Sequence, residues 1–450
     1  MATEEPVDMR PLITIAVLGL TLCAWAGKDS KDPDVLARQG FELLRRGDIA
    51  GAERCYAQGY KLKKITTSII SLAGDIAMAK NDREQADYYY GRAIYFDPRD
   101  TTGYMHYVRM HQKDEPQLAV ARLQQLGRYR PDFRVDYLIA GVWYSANKVE
   151  QAVAAYDSIA IDSLSRDEQV AYAMSAYLMK DYQKSLKVVT HGRKQWPHDR
   201  IFTRLDMYNH SELKEYEAAL EAAWIFFHPS SSSEAKTVKP TYLDYIYYGY
   251  VHNGLGKYEL GIEQFNKALQ LEGGDRADVL LAISKAYQNI GRYQQAVDYY
   301  RQYMTKLDTE EVTPFVIYEL GRLYYAQGTD TAGGDGLTPV KKEALQKADE
   351  TFAEVARMRP DSYLGVYWQA RTNVAMDPET EKGLAKPYYQ QVIEMTEQKG
   401  GGQLLEAYKY LAYYYFVKHD KQSSMQYIDK ILDVNPTDSY ALRLSQALTS

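Results

Sequence analysis

Cysteine is scarce in this chain, which has two cysteines among its 450 residues. Cys23 falls in an apolar stretch near the N-terminus, and Cys55 falls in a segment that we expect to be helical. Their spacing is not that of a metal site, and removal of Cys23 with a cleaved leader would leave no partner for an internal disulfide. We therefore expect Cys55 to be a buried and unreactive thiol.

An excess of positive charge is also lacking. The chain has 54 lysines and arginines against 60 aspartates and glutamates, which gives a formal net charge of -6. Proteins that bind nucleic acid usually present a basic face, so this balance argues against nucleic acid as a partner.

The familiar catalytic motifs are missing as well. The sequence contains no His-Glu-x-x-His and no Gly-x-Ser-x-Gly, and Gly333-Gly-Asp-Gly336 is not followed by the Gly-Lys-Ser/Thr of a phosphate loop. His106 and His111 stand in a poor register for sharing a metal on one helix face. We therefore expect no enzyme activity, no cofactor and no metal. Carboxylates that converge from distant segments are the alternative left open.

The sequence has a single long apolar run, from Leu12 to Leu22. This run is too short to span a membrane comfortably. Met9-Arg10 precedes it, and Ala24-Trp25-Ala26 follows it as a small-x-small cleavage site. This arrangement predicts an export signal over residues 1–26 and a periplasmic or envelope-associated mature protein. The acidic leader before Met9 is atypical, so translation from Met9 is an alternative. Lipidation of Cys23 is disfavoured, because Leu22 is not the small residue that such a site needs.

What the sequence does have is a repeat of about 34 residues that begins near Asp34 and continues almost to the C-terminus. Small residues recur where two helices of a pair must touch, and aromatic residues recur where a neighbouring pair leaves a hole. Two consecutive copies show this best: Gly249, Gly256, Gly261, Phe265 and Ala268, then Ser284, Gly291, Ala296 and Tyr300. The period predicts an all-α chain of helix pairs, in which many of the 42 tyrosines pack between helices.

This pattern resembles the tetratricopeptide repeat, and the resemblance covers nearly all of the mature chain. It implies a right-handed superhelical solenoid of about eleven antiparallel helix pairs, closed by a C-terminal capping helix from Ser439 to Leu448. We expect an N-terminal array of about six repeats over residues 33–232, a linker at 233–241, and about five repeats with the cap over 242–450. An inserted loop is expected at 329–338. The copies near Asp100, Ile201 and Ser362 match the family pattern least well.

The resemblance also implies where a partner would bind, because the first helix of each pair usually lines a concave groove in this family. The family's groove positions fall on residues that are mostly aromatic, with a few hydrogen-bond donors. They are Tyr137, Tyr144, Tyr177, Tyr250, Asn253, Tyr318, Arg322, Tyr325, Lys409, Tyr413 and Phe416. The lysine and asparagine clamp that some members use for a C-terminal carboxylate is not found here.

The resulting hypothesis is a non-catalytic scaffold of the cell envelope that binds a protein or peptide in this groove. The alternative is a glycan-binding protein or an outer-membrane lipoprotein of a polysaccharide uptake or secretion system, since tyrosine rings stack on sugars. Tyrosine clusters on loops would favour that alternative. The loops at 230–239 and 329–338 contain no tyrosine, which counts against it.

Overall fold

The computed structural model describes residues 31–62, 64–229, 238–271, 276–332, 334 and 336–449. These residues form α-helices and one short 3-10 helix, and none of them lies in a β-strand. The chain divides into two compact units, with the division between Val238 and Lys239. The predicted export signal at 1–26 lies outside the described residues. Within the described part, no helix combines the length and apolar character needed to cross a bilayer.

The first unit consists of six helix pairs in chain order. A 3-10 helix, Ile161–Ser163, lies between the fourth and fifth pairs. The pairs are α1 Pro33–Arg45 with α2 Ile49–Tyr60, α3 Thr67–Ala79 with α4 Arg83–Phe96, α5 Thr101–His111 with α6 Pro116–Tyr129, α7 Val135–Ser145 with α8 Val149–Asp157, α9 Arg166–Leu178 with α10 Tyr182–Gln195, and α11 Arg200–Glu212 with α12 Tyr216–Phe227. Each helix packs against its partner, and each second helix from α2 to α10 packs against the next first helix.

The second unit consists of five pairs and a terminal helix. Its elements are α13 Tyr242–Gly254, α14 Tyr258–Leu269, α15 Ala277–Asn289, α16 Tyr293–Met304, α17 Pro314–Thr329, α18 Pro339–Met358, α19 Leu364–Met376, α20 Lys386–Thr396, α21 Gly402–Val417, α22 Lys421–Val434 and α23 Ser439–Thr449. Helix α23 buries Ala441 and Leu444 against the last pair and exposes Leu442. Eleven pairs with a terminal helix confirm the predicted all-α repeat fold.

Most pairs share one turn between their two helices. The residue before the second helix's N-cap has positive φ, as at Gly47, Asn81, Lys180 and Gly291. The N-cap is often an aspartate whose carboxylate accepts a backbone N–H of the first helical turn, as Asp181 does from Lys184. This cap satisfies a donor that the helix cannot pair internally, so it fixes where the second helix begins.

The two helices of a pair approach closely at small residues. A Cβ on Gly249 would lie 2.5 Å from the Phe265 ring, and one on Gly321 would lie 2.7 Å from the Phe352 ring, so both positions require glycine. Serine serves the same crossing in other pairs. Its hydroxyl donates to a backbone carbonyl of the partner helix at Ser185, Ser284 and Ser424, with distances of 2.7–2.8 Å.

Tyrosine fills much of the interior, and its hydroxyl usually finds a partner there. Tyr90 donates to Asp75 at 2.6 Å, and Tyr300 donates to the carbonyl of Val316 at 3.0 Å. Burial raises the pKa of both phenols, so they remain neutral donors. Cys55 is buried, as predicted, and burial raises the pKa of its thiol.

Three departures from the simple repeat have local causes. In the sixth pair, the carboxylate of Asp206 is buried, and it pairs with Arg193 of α10. In the ninth pair, the second helix α18 is extended at its start and runs for 20 residues, from Pro339 to Met358. The tenth pair is joined by the long connection 377–385, which is organised around the buried carboxylate of Asp377.

Candidate functional site

The predicted groove residues of the first unit are half-buried packing residues. Tyr137, Tyr144 and Tyr177 all pack against the core formed by α7 to α11. The Tyr137 hydroxyl donates to the Ser163 carbonyl at 3.1 Å, and the Arg134 guanidinium lies 3.8 Å from its ring centre. Burial raises the pKa of Tyr144. These rings are therefore engaged in packing and are only partly accessible to a partner.

The seventh pair places its two candidates differently. Tyr250 is 39% exposed, and its ring packs edge-on against Phe265 at 5.3 Å between centroids. Asn253 is half-buried beside Gly261, and its side-chain oxygen has no hydrogen-bond partner among the described residues. Tyr250 is the more accessible of the two.

The ninth and tenth pairs bring aromatic and arginine side chains together around Trp368, which is 8% exposed. Phe352 of α18 stacks on this ring, and the other contacts come from the first helices α17 and α19. We call six residues of these two helices the Trp368 cluster: Tyr318, Arg322 and Tyr325 of α17, and Tyr367, Trp368 and Arg371 of α19.

The two arginines of the Trp368 cluster lie over the same ring. The guanidinium carbon of Arg322 is 4.6 Å from the Trp368 ring centre, and that of Arg371 is 4.9 Å from it. Arg322 also donates to the Tyr318 hydroxyl at 3.3 Å. Attraction between each cation and the ring's electron-rich face holds both side chains in place without neutralising their charge.

A single carboxylate, Glu406 of α21, ties the cluster to the next pair. It accepts from the Tyr367 hydroxyl at 2.7 Å and from the Tyr389 hydroxyl at 2.8 Å, and it lies 3.6 Å from Arg371. Burial, aided by this carboxylate, raises the pKa of Tyr367 to about 12 and raises that of Tyr389 as well. Helices α19, α20 and α21 therefore share one hydrogen-bonded anion.

The candidates of the eleventh pair are engaged with the terminal helix or with each other. Lys409 forms an ion pair with Asp438 at 2.8 Å, and the Tyr440 hydroxyl donates to the Lys409 carbonyl at 3.3 Å. This pairing lowers the pKa of Asp438. Tyr413 and Phe416 stack with their centroids 6.3 Å apart. Lys409 therefore anchors α23, a role that its position in the repeat did not indicate.

Sequence reasoning missed Tyr367, Trp368 and Arg371, because the tenth copy matches the repeat pattern poorly and no groove positions were assigned to it. A usable signal was present. Tyr363, Tyr367, Trp368 and Arg371 recur at spacings of three and four residues, as neighbours on one face of a helix do. Phe315, 68% exposed at the start of α17, was also missed.

Two histidines of the first unit lie within hydrogen-bond distance of carboxylates. His106 lies 2.7 Å from Asp75, and His111 lies 3.0 Å from Asp87 and 2.8 Å from Glu115. These pairs join neighbouring helices. Among the described residues, no three or more histidine, cysteine or carboxylate side chains are grouped closely enough to hold a metal ion.

Contacts between successive pairs recur at a fixed separation along the sequence. Thr67 to Asp100, Arg166 to Asp199, and Lys430 to Glu397 each join side chains that are 33 residues apart. The repeat in the sequence is thus a repeat in space, with paired helices, one turn type and small residues at the crossing. This is the helix-pair architecture that the resemblance to the tetratricopeptide repeat implies.

Comparison with known proteins finds similar solved structures, whereas no protein-family model and no curated protein matches the sequence. The C-terminal part of a TPR repeat-containing protein from Cytophaga hutchinsonii is 28% identical over 61% of this chain and 98% of its own, with a TM-score of 0.48. A tetratricopeptide repeat protein from Parabacteroides merdae is 14% identical over 57% and 99%, with a TM-score of 0.36. YrrB, a TPR protein with an unusual peptide-binding site, is 16% identical over 45% and 91%, with a TM-score of 0.32.

Proposed function

We propose that this tetratricopeptide-repeat chain is a non-catalytic scaffold that binds a segment of a partner protein across the Trp368 cluster. The observation that carries this proposal is the concentration of arginine and aromatic side chains on the first helices α17 and α19. These residue types supply much of the binding energy at protein interfaces. Exposed Phe315 extends the same surface by one turn of α17.

The Trp368 cluster is also held rigidly, which favours binding. Gly321 brings α17 into close contact with Phe352, and Glu406 joins α19 to α20 and α21. Side chains that are already fixed lose little conformational entropy when a partner arrives. An extended segment of a partner could therefore bind without reorganising this surface.

We further propose that the protein works in the cell envelope. The support is the sequence of residues 1–26, where Met9-Arg10, an apolar run and a small-x-small site follow one another as in an export signal. The partner would then be another envelope protein, and the scaffold would assemble or regulate a complex there.

The test is affinity capture from envelope extract with the full-length chain, followed by mass spectrometry. The variant is Phe315→Ala with Arg322→Ala, which removes an exposed ring and a cation from α17. The matched control is Tyr95→Ala with Arg92→Ala on the second helix α4, where Tyr95 is 87% exposed. We expect wild type and control to recover the same partner, and the α17 variant to lose it.

Two results would contradict the proposal. Equal recovery of the partner by the α17 variant would place the interface elsewhere on the chain. Recovery of no specific protein by wild type, together with binding on a glycan array, would favour the glycan-binding alternative. Far-ultraviolet circular dichroism of each variant checks that the helices are intact.

A further inference from the structure

Three successive first helices of the second unit carry a cation at the same position of the repeat. Each cation directly follows the buried small residue of the helix crossing: Lys285 after Ser284, Arg322 after Gly321, and Arg371 after Ala370. Since the small residue faces the partner helix, the next residue leaves each first helix at the same angle. We call Lys285, Arg322 and Arg371 the basic row.

Most of the charge on the basic row is uncompensated. Among the described residues, no carboxylate lies within salt-bridge distance of Lys285 or Arg322, and both residues are exposed. Arg371 has Glu406 at 3.6 Å, but that carboxylate also accepts two tyrosine hydroxyls. A local excess of positive charge on a chain of net charge -6 is the electrostatic complement of an anionic ligand.

An apolar strip accompanies the basic row. One turn before each cation lies a half-buried apolar or aromatic residue, namely Leu281, Tyr318 or Tyr367. All three pack against the same hydrophobic core. A ligand that lies along the basic row therefore also contacts carbon surface, which a purely ionic ligand would leave unused.

We propose that the basic row binds an acidic segment of a partner protein, in which aspartate or glutamate side chains alternate with apolar ones. This inference rests on the proposed function and names the chemistry of its ligand. Arginine pairs with a carboxylate through two parallel hydrogen bonds, so Arg322 selects for carboxylates in a fixed geometry. Nucleic acid is a poorer fit, because Trp368 is covered and offers no open face for base stacking.

The first experiment selects random peptides of roughly twelve residues, displayed on phage, for binding to the full-length chain. We expect the selected peptides to be enriched in aspartate and glutamate over the unselected library. The selected peptides are then synthesised with a fluorophore, and their affinity is measured by anisotropy at several salt concentrations. Affinity is expected to fall as salt rises, because the basic row exchanges counterions for the ligand.

Charge reversal then locates the site. Lys285→Glu with Arg322→Glu is expected to weaken binding of the acidic peptide by roughly tenfold or more. Arg301→Glu with Lys342→Glu changes net charge equally on the second helices α16 and α18, and it should leave affinity within about twofold of wild type. A peptide with lysine in place of its acidic residues should recover binding to the Lys285→Glu, Arg322→Glu variant.

The outcomes separate this inference from the proposed function. Selected peptides without acidic enrichment, whose binding is still lost on Phe315→Ala, would overturn the acidic ligand and keep the protein-binding surface. Equal weakening by the control pair would overturn the basic row as the site. Tighter binding of an oligonucleotide than of any selected peptide would overturn the acidic peptide and indicate nucleic acid as the ligand. Failure to select any peptide would count against both proposals.

Discussion

Asp377 shows how one side chain can replace regular structure. Its buried carboxylate accepts backbone N–H groups from Lys382 at 2.9 Å, Gly383 at 2.7 Å and Leu384 at 3.4 Å. The connection also contains Thr380 and Gly383 at positive φ, so its backbone follows a path that no helix could supply. The carboxylate satisfies donors that would otherwise be buried and unpaired.

We expect Asp377→Ala to lower the free energy of unfolding by about 2–4 kcal/mol, because several charge-assisted hydrogen bonds are lost and their donors stay buried. Chemical denaturation measures this difference. Asp361→Ala, at an exposed carboxylate paired with Arg359, is the control and should cost well under that amount. A loss at Asp377 no larger than at Asp361 would show that the connection does not depend on the carboxylate.

Asp349 gives a prediction of pH dependence. Burial raises its pKa, although Asn373 and Gln369 donate to it at 2.7 Å and 3.4 Å; Glu350 also raises it. A raised folded-state pKa means that the folded protein binds the proton more readily than the unfolded chain. Stability attributable to Asp349 therefore increases as pH falls through that pKa.

Urea denaturation of wild type and Asp349→Asn between pH 7 and pH 4.5 tests this sign. We expect wild type to gain stability relative to the variant as pH falls. Asp361→Asn is the control and should show no such gain over this range, because Arg359 lowers the pKa of Asp361 and its effect on stability is lost only at lower pH. A difference between wild type and Asp349→Asn that stays constant across this range would contradict the prediction.

At the scale of the element, the turn between paired helices is the recurrent unit. The turn requires a residue with positive φ. This residue is glycine at Gly47, Gly256 and Gly291, whereas Lys180 and His419 adopt the same left-handed conformation despite having a side chain. A non-glycine residue there is strained by about 1–2 kcal/mol. The repeat tolerates this cost because the N-cap and the packing of both helices over-determine the turn.

Glycine in place of a strained residue should stabilise the fold, and a side chain in place of a glycine should destabilise it. We expect Lys180→Gly to raise the unfolding free energy by about 1 kcal/mol and Gly291→Ala to lower it by about 1–2 kcal/mol. No atom lies within 4 Å of a Cβ placed on Gly291, so the cost there is conformational and not steric. Thermal and urea unfolding measure both changes. A neutral Gly291→Ala would indicate that the turn relaxes to negative φ.

The helices could be predicted because their signals are local in sequence. These signals are small residues at the helix crossing, aromatic residues after them, and glycine or aspartate at the turns. The long start of α18 and the Asp377 connection were not, since both depend on contacts made only in the folded chain. At the candidate site, the period predicted Tyr318, Arg322 and Tyr325 as groove residues, and the structure places all three in contact with Trp368. It could not indicate that Lys409 pairs with Asp438, which lies directly before the terminal helix α23.

At the scale of the whole molecule, stability should be distributed in two parts. The chain forms two compact units, and the boundary between them along the sequence falls between Val238 and Lys239. In repeat proteins each pair contacts its neighbours only, so a local loss of stability spreads along the array and fades with distance.

Hydrogen exchange measured by mass spectrometry can show how far a local loss of stability spreads along the chain. We expect Asp377→Ala to accelerate amide exchange in α19 to α21, less in the rest of residues 239–450, and not in α1 to α12. Lys180→Gly, in the other unit, should slow exchange near α9 and α10 alone. Acceleration of equal size throughout the chain would mean that the whole molecule opens as one cooperative unit.

Glu406 has a consequence for the order of events during recognition. Its carboxylate already lies beside the Arg371 guanidinium, so a partner's carboxylate would have to compete with Glu406 for Arg371. Arg322 has no such rival among the described carboxylates, and it is the more exposed of the two. If the basic row binds an acidic segment, we expect its first contact at Arg322, and a second acidic group would be needed to displace Glu406 from Arg371.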